Sequence, residues 1–173
     1  MVKRYEYNRK EYLWRVTIIG AVGGAVAVYS AIQLLINASA NYFYAATLIV
    51  GFYTFWETYI SAANPSAVEI SDDQMTFYAY GKAHSFKMKD IKEFKVKEFS
   101  SAKKMFIRIN NPGFLNGRYW VNCYWFNDRD ELFQKIRDLE VQLEPDSLKA
   151  YTRKTGEKDF QERQRQKLKK RKG

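Results

Sequence analysis

Two apolar stretches separated by only five residues constrain this chain more than any other feature. Residues 16–36 read VTIIGAVGGAVAVYSAIQLLI, 21 positions without a charge, and residues 42–62 read YFYAATLIVGFYTFWETYISA, with Glu57 as the sole charge. A helix needs about 20 such residues to cross the hydrocarbon core of a bilayer. The linker NASAN is too short for anything but a tight reversal, so residues 16–62 read as a transmembrane helical hairpin. A cleaved signal peptide fits poorly. The first stretch is too long for a signal h-region, lacks a small-residue cleavage site and is followed by a second stretch.

Charge and aromatic placement orient the hairpin. Residues 1–15 carry five cations (Lys3, Arg4, Arg9, Lys10, Arg15) and the 37–41 loop carries none. The excess of Lys/Arg on one side predicts a multi-pass protein of the inner membrane with both termini cytoplasmic. Tyr12 and Trp14, Tyr42 and Tyr44, and Trp56 and Tyr59 fall at the expected headgroup levels, where amphipathic rings prefer to sit. The single cysteine, Cys123, excludes an intramolecular disulfide framework and suits a reducing compartment. The organisation expected is a basic cytoplasmic flank over 1–15, the hairpin over 16–62, one small cytoplasmic domain over 64–146, and a basic disordered tail over 147–173.

After Asn64-Pro65-Ser66, which breaks the helix, the pattern changes to period two. Alternating apolar positions predict strands over 67–71, 74–80, 84–88, 92–99, 104–110 and 117–124, separated by turns such as Ser71-Asp72-Asp73 and Asn111-Pro112-Gly113. One helix follows. Asp128 with Glu131 fits a capping box, and Leu132, Ile136, Leu139 and Leu143 form a single apolar stripe ended by Pro145. The fold class expected is α+β: the hairpin, then a small antiparallel barrel or sandwich closed by an amphipathic helix. Its expected core includes Val68, Phe77, Phe86, Phe94, Val96, Ile107, Leu132, Ile136 and Leu139.

The order of hairpin, V-x-I-x-D-D at 68–73, a Lys-rich strand entered by Lys89-Asp90-Ile91, and an N-D-x-D-E-L helix start at 127–132 resembles the bacterial two-span membrane proteins with a pleckstrin-homology-like domain, the YcxB-like group. The resemblance covers residues 1–145 and implies a fold and an architecture. It brings no catalytic residues. The first hairpin turn is acidic here (Asp72, Asp73), where phosphoinositide-binding members of the wider fold carry basic residues, which argues against inositol-lipid recognition.

Candidate chemistry is sparse. His84 and Cys123 are the only residues of their kinds, and a Cys–His nucleophile pair is outweighed by a structural cysteine and an edge histidine. No metal-ligand spacing and no phosphate-cradling loop occurs, so neither enzyme activity nor a cofactor is expected. Gly20, Gly23, Gly24 and Ala27 form a small-residue face on the first span. That face serves either an oligomer or the protein's own second span, the latter favoured by the short loop. Glu57 is an intramembrane charge that can snorkel to the interface or pair with Arg15.

The tail, residues 149–173, carries a net charge of +8, whereas residues 62–148 are neutral overall. Arg163, Arg165, Lys167, Lys169, Lys170, Arg171 and Lys172 are its expected contacts with anionic lipid headgroups at the membrane surface, the alternative being a solvated extension that contacts nothing. Nucleic acid is disfavoured, because the tail's cations are not interleaved with the aromatic residues expected for stacking on bases. The function expected is a non-catalytic membrane-anchored adaptor or accessory subunit whose domain binds a protein or lipid partner. The alternative is a ligand-gated membrane effector or sensor that forms a homo-oligomer through its helices.

Overall fold

The first strand precedes the first helix. The computed structural model describes residues 2–36, 42–148 and 151–152. Within the segment expected to be a basic flank, β1 (Lys3–Glu6) pairs antiparallel with β2 (Ala67–Ile70), in the register Lys3↔Ile70 to Glu6↔Ala67. Only Tyr5 of β1 points into the core, where it is fully buried. A four-residue strand with one apolar side chain shows no alternation, which is why the sequence pattern misses it.

Between these two paired strands the chain leaves the domain and returns as two helices. The first, α1 (Arg9–Ile36), includes a π-helical stretch over Leu13–Ile18. The second, α2 (Tyr42–Phe55), continues as a π-helical turn over Trp56–Ile60. Among the described residues, α1 is the one helix long and apolar enough to cross a membrane. The second span expected over 42–62 is not shown. Four tyrosines (42, 44, 53, 59), three threonines (47, 54, 58) and Glu57 dilute its apolar character. It nevertheless packs along α1, with Ser30 Oγ and Thr47 Oγ1 hydrogen-bonded at 2.8 Å.

The remaining strands are β3 (Gln74–Ala79), β4 (Lys82–Lys87), β5 (Phe94–Phe99), β6 (Lys104–Ile109) and β7 (Arg118–Asn122), followed by α3 (Arg129–Leu143). They form two antiparallel sheets, ordered β1-β2-β3-β4 and β5-β6-β7. The α+β class and the closing helix match expectation; a closed barrel does not form. The physical reason lies at the edge of β5. Its Val96 N–H donates to Glu140 Oε1 at 2.9 Å and its Phe94 N–H to Glu144 Oε1 at 2.8 Å. Carboxylates of α3 and of its C-cap Glu144 occupy the donors that another strand would need, and they blunt the edge.

The core lies between the sheets and α3. Val68, Phe94, Val96, Ile107, Leu132 and Ile136 are all at or below 1 % exposure. Phe86 is only partly buried because β4 is an edge strand. Phe77 stacks on Tyr119 with ring centroids 3.9 Å apart and planes 6° apart. The capping box expected at α3 is not made. Asp128 adopts a left-handed conformation (φ 47°) without a side-chain cap, and its carboxylate lies 3.2 Å from Lys3 Nζ. Glu131 instead binds Lys3 and the Tyr5 hydroxyl, so these acids fasten β1 to the helix.

Candidate functional site

Because the helices are inserted between two hydrogen-bonded strands, the domain is held at both ends of the helical pair. The junction is built mainly of tyrosines. Tyr12 OH donates to the Asn64 carbonyl at 2.8 Å, and Tyr59 OH to the Thr17 carbonyl at 2.7 Å. Thr17 Oγ1 and Tyr80 OH are 2.9 Å apart, and Tyr59 and Tyr80 rings meet at 5.0 Å. Lys82 Nζ donates to the Ile60 and Tyr59 carbonyls at 2.7 and 3.1 Å, placing a cation at the negative end of the helix dipole. Trp120 N–H donates to the Ala63 carbonyl at 2.7 Å, so β7 lies directly beside the exit from α2.

The small-residue face is used within the chain. Gly20 lies against Thr58, Gly23 against Thr54 and Gly51, and Gly24 against the Phe55 ring. A Cβ on Gly51 would stand 2.6 Å from the Gly23 carbonyl oxygen and 3.3 Å from the Ala27 Cβ, so the two backbones approach as only glycine allows. Phe55 packs on Gly24 and, with Phe52, lines the groove beside Ala27, whereas Tyr53 points outward. Glu57 does not pair with Arg15. It accepts the Tyr53 hydroxyl one turn away, and Arg15 binds Glu11 at 2.7 Å and lies over the Trp125 ring at 4.2 Å.

The candidate nucleophile pair is not activated. Cys123 is completely buried, and desolvation pushes its thiol up to about 12, far from the thiolate that reacts. His84 sits on edge strand β4 with Nδ1 2.9 Å from the Tyr119 hydroxyl. Burial, with Lys82 nearby, lowers its pKa from 6.5. Among the described residues no three His, Cys, Asp or Glu gather where they could hold a metal ion. The tail cations Arg163 to Lys172 lie outside the described residues.

The surface that sequence reasoning missed is the outer face of β5-β6-β7. The pairing aligns Lys95, Arg108 and Arg118 in one row, Lys97, Phe106 and Trp120 in the next, and Phe99, Lys104 and Asn122 in the third. Nine outward positions thus hold five cations, three aromatic rings and no carboxylate. The rings form a platform: Phe106 and Trp120 centroids are 4.4 Å apart, and Lys104 Nζ lies 4.5 Å from the Trp120 ring. Lys95 binds Glu93 beside the row, and Arg118 donates to the Pro112 carbonyl at 3.4 Å. At the Arg118 end, the 110–117 loop carries Phe114 and Leu115, 79 % and 55 % exposed. Trp56 Nε1–H donates to the Phe114 carbonyl at 3.4 Å, and the Arg118 guanidinium lies 5.7 Å from the Phe114 ring. The signal for this face was in the alternation of residues 95–108, hidden because the domain is neutral in sum.

Compared with protein-family models, with curated proteins and with solved structures, the chain matches none.

Proposed function

We propose that this protein is a non-catalytic membrane-anchored adaptor, and that its domain is presented at a fixed height and angle on the cytoplasmic face of the inner membrane. The observation that carries this reading is the insertion of α1 and α2 between the paired strands β1 and β2. A module hung on a flexible linker samples many poses; this one is bonded to its helices through Tyr12, Tyr59, Tyr80 and Lys82. Such mounting suits a surface that must meet a partner at a set distance from the bilayer. In this reading α2 is the second span, with Glu57 at the interface, and the fold belongs with the pleckstrin-homology-like membrane proteins. The effector alternative loses its main support, since the glycine face it would assemble through is filled by Thr54, Phe55 and Thr58.

The test is expression of the full chain in cells carrying a potential-sensitive dye, with detergent extraction and cross-linking in parallel. The adaptor reading expects an unchanged membrane potential and a discrete hetero-complex. Collapse of the potential with a homo-oligomer on extraction would refute it.

A further inference from the structure

We propose that the 110–117 loop and the adjoining cationic row Arg118–Arg108–Lys95 form a binding site for the headgroups of anionic phospholipids in the same bilayer that holds the helices. This inference rests on the membrane-anchored reading above.

Depth is the first argument. Trp56 lies four residues before the end of the helical segment at Ile60, about 6 Å back along the axis at 1.5 Å per residue. The loop is bonded to Trp56, so it doubles back alongside the helix toward the apolar span. Phe114 and Leu115 are therefore exposed at the level of the helix's own interfacial tryptophan. Apolar and aromatic side chains at that depth partition into the headgroup boundary.

Charge is the second argument. Arg108 stands directly opposite Arg118 on one side and Lys95 on the other. Like charges opposite one another oppose sheet formation, so the row calls for an anion between its members. Glu93 pairs directly with Lys95, at the far end, and acts on Arg108 through its charge. Arginine is the side chain best suited to a phosphodiester, which its planar fork binds through two parallel hydrogen bonds. The loop's apolar tip and the cations beside it match the two layers of an anionic leaflet, acyl boundary and phosphate. A single-stranded nucleic acid could use the rings and cations of the same face, but it would leave Phe114 and Leu115 beside Trp56 without a role.

The experiment uses the full chain in nanodiscs of phosphatidylcholine alone or mixed with phosphatidylglycerol. A spin label is attached at Asn116→Cys on the loop or, as a control, at Val22→Cys on the outward side of α1; buried Cys123 does not compete. The loop label should be shielded from an aqueous relaxation agent in anionic discs and less so in neutral ones. Replacing Arg108, Arg118 and Lys95 by Gln should weaken the docked state about fivefold per cation. Raising the salt should weaken it too, as the Debye length falls from ~10 Å at 0.1 M to ~3 Å at 1 M. A chain ending at Thr152 should behave the same, which separates the site from the basic tail. A loop label open to water in both discs, with the Val22 label in the bilayer, overturns this inference and leaves the membrane reading standing. A Val22 label open to water means that the membrane reading has failed. Equal shielding in both discs, or its loss with the tail, overturns the site. So does quenching of Trp120 by a single-stranded oligonucleotide that depends on the same three cations and displaces the loop from lipid.

Discussion

Glu140→Ala should weaken the domain by about 1–3 kcal/mol. Glu140 is 4 % exposed, and its Oε1 accepts the Val96 N–H at 2.9 Å on the otherwise open edge of β5. A hydrogen bond to a charged group contributes ~1.5–3 kcal/mol, and a buried N–H left without a partner costs ~1–3 kcal/mol. Alanine's helix propensity returns only a few tenths of a kcal/mol. For a domain of about 100 residues each kcal/mol shifts the melting midpoint by ~4–8 °C. The assay is thermal and denaturant unfolding of the full chain in detergent, followed by the fluorescence of Trp120 and Trp125. Glu144→Ala serves as the internal comparison. Glu144 makes the same kind of bond to Phe94 N–H but is only half-buried, so water can replace it and its loss should cost less. A midpoint for Glu140→Ala equal to the parent's, or a loss no larger than that of Glu144→Ala, would refute the edge-blunting argument.

Three further outcomes are expected. Leu139→Ala on the buried stripe of α3 should cost ~2–5 kcal/mol in the same assay, and an unchanged midpoint would sink the helix-on-sheet packing. Cysteines at Ser30 and Thr47, whose hydroxyls are 2.8 Å apart, should cross-link within one chain under mild oxidation; adding Gly51→Leu should abolish the product, because its Cβ would lie 2.6 Å from the Gly23 carbonyl oxygen. Burial lowers His84 below its ordinary 6.5, so the unfolded chain binds that proton more tightly and stability falls as pH drops through 6.5 toward the folded value. His84→Asn should flatten that dependence, and an identical slope in both proteins would exclude His84 as its source.

Much of the fold was legible because it depends on local period. The strands from β2 to β7 and the α3 stripe follow from alternation and from 3.6-residue spacing, which any segment with one buried face must show. Tyr5 defeats that logic. A strand of four residues with one inward side chain has no period, and β1 exists because β2 offers it an edge and because Asp128 and Glu131 hold Lys3. A fragment cut at residue 64 would lose Tyr5 from the core. The capping box failed for the same reason: a tertiary partner outcompeted the local one.

What the sequence determined by itself is a strongly apolar first helix, a β-rich domain after it, and a cluster of basic residues in the tail, all properties of composition and spacing. What only the tertiary structure decided is which charges stand together. Residues 62–148 sum to zero, yet the sheet register gathers Lys95, Arg108 and Arg118 into one row while most of the acids lie in turns, on α3 and at the β5 edge. Net charge adds over a chain regardless of position, whereas a surface potential depends on distance. Only strand pairing, which brings residues 95, 108 and 118 side by side, sets those distances.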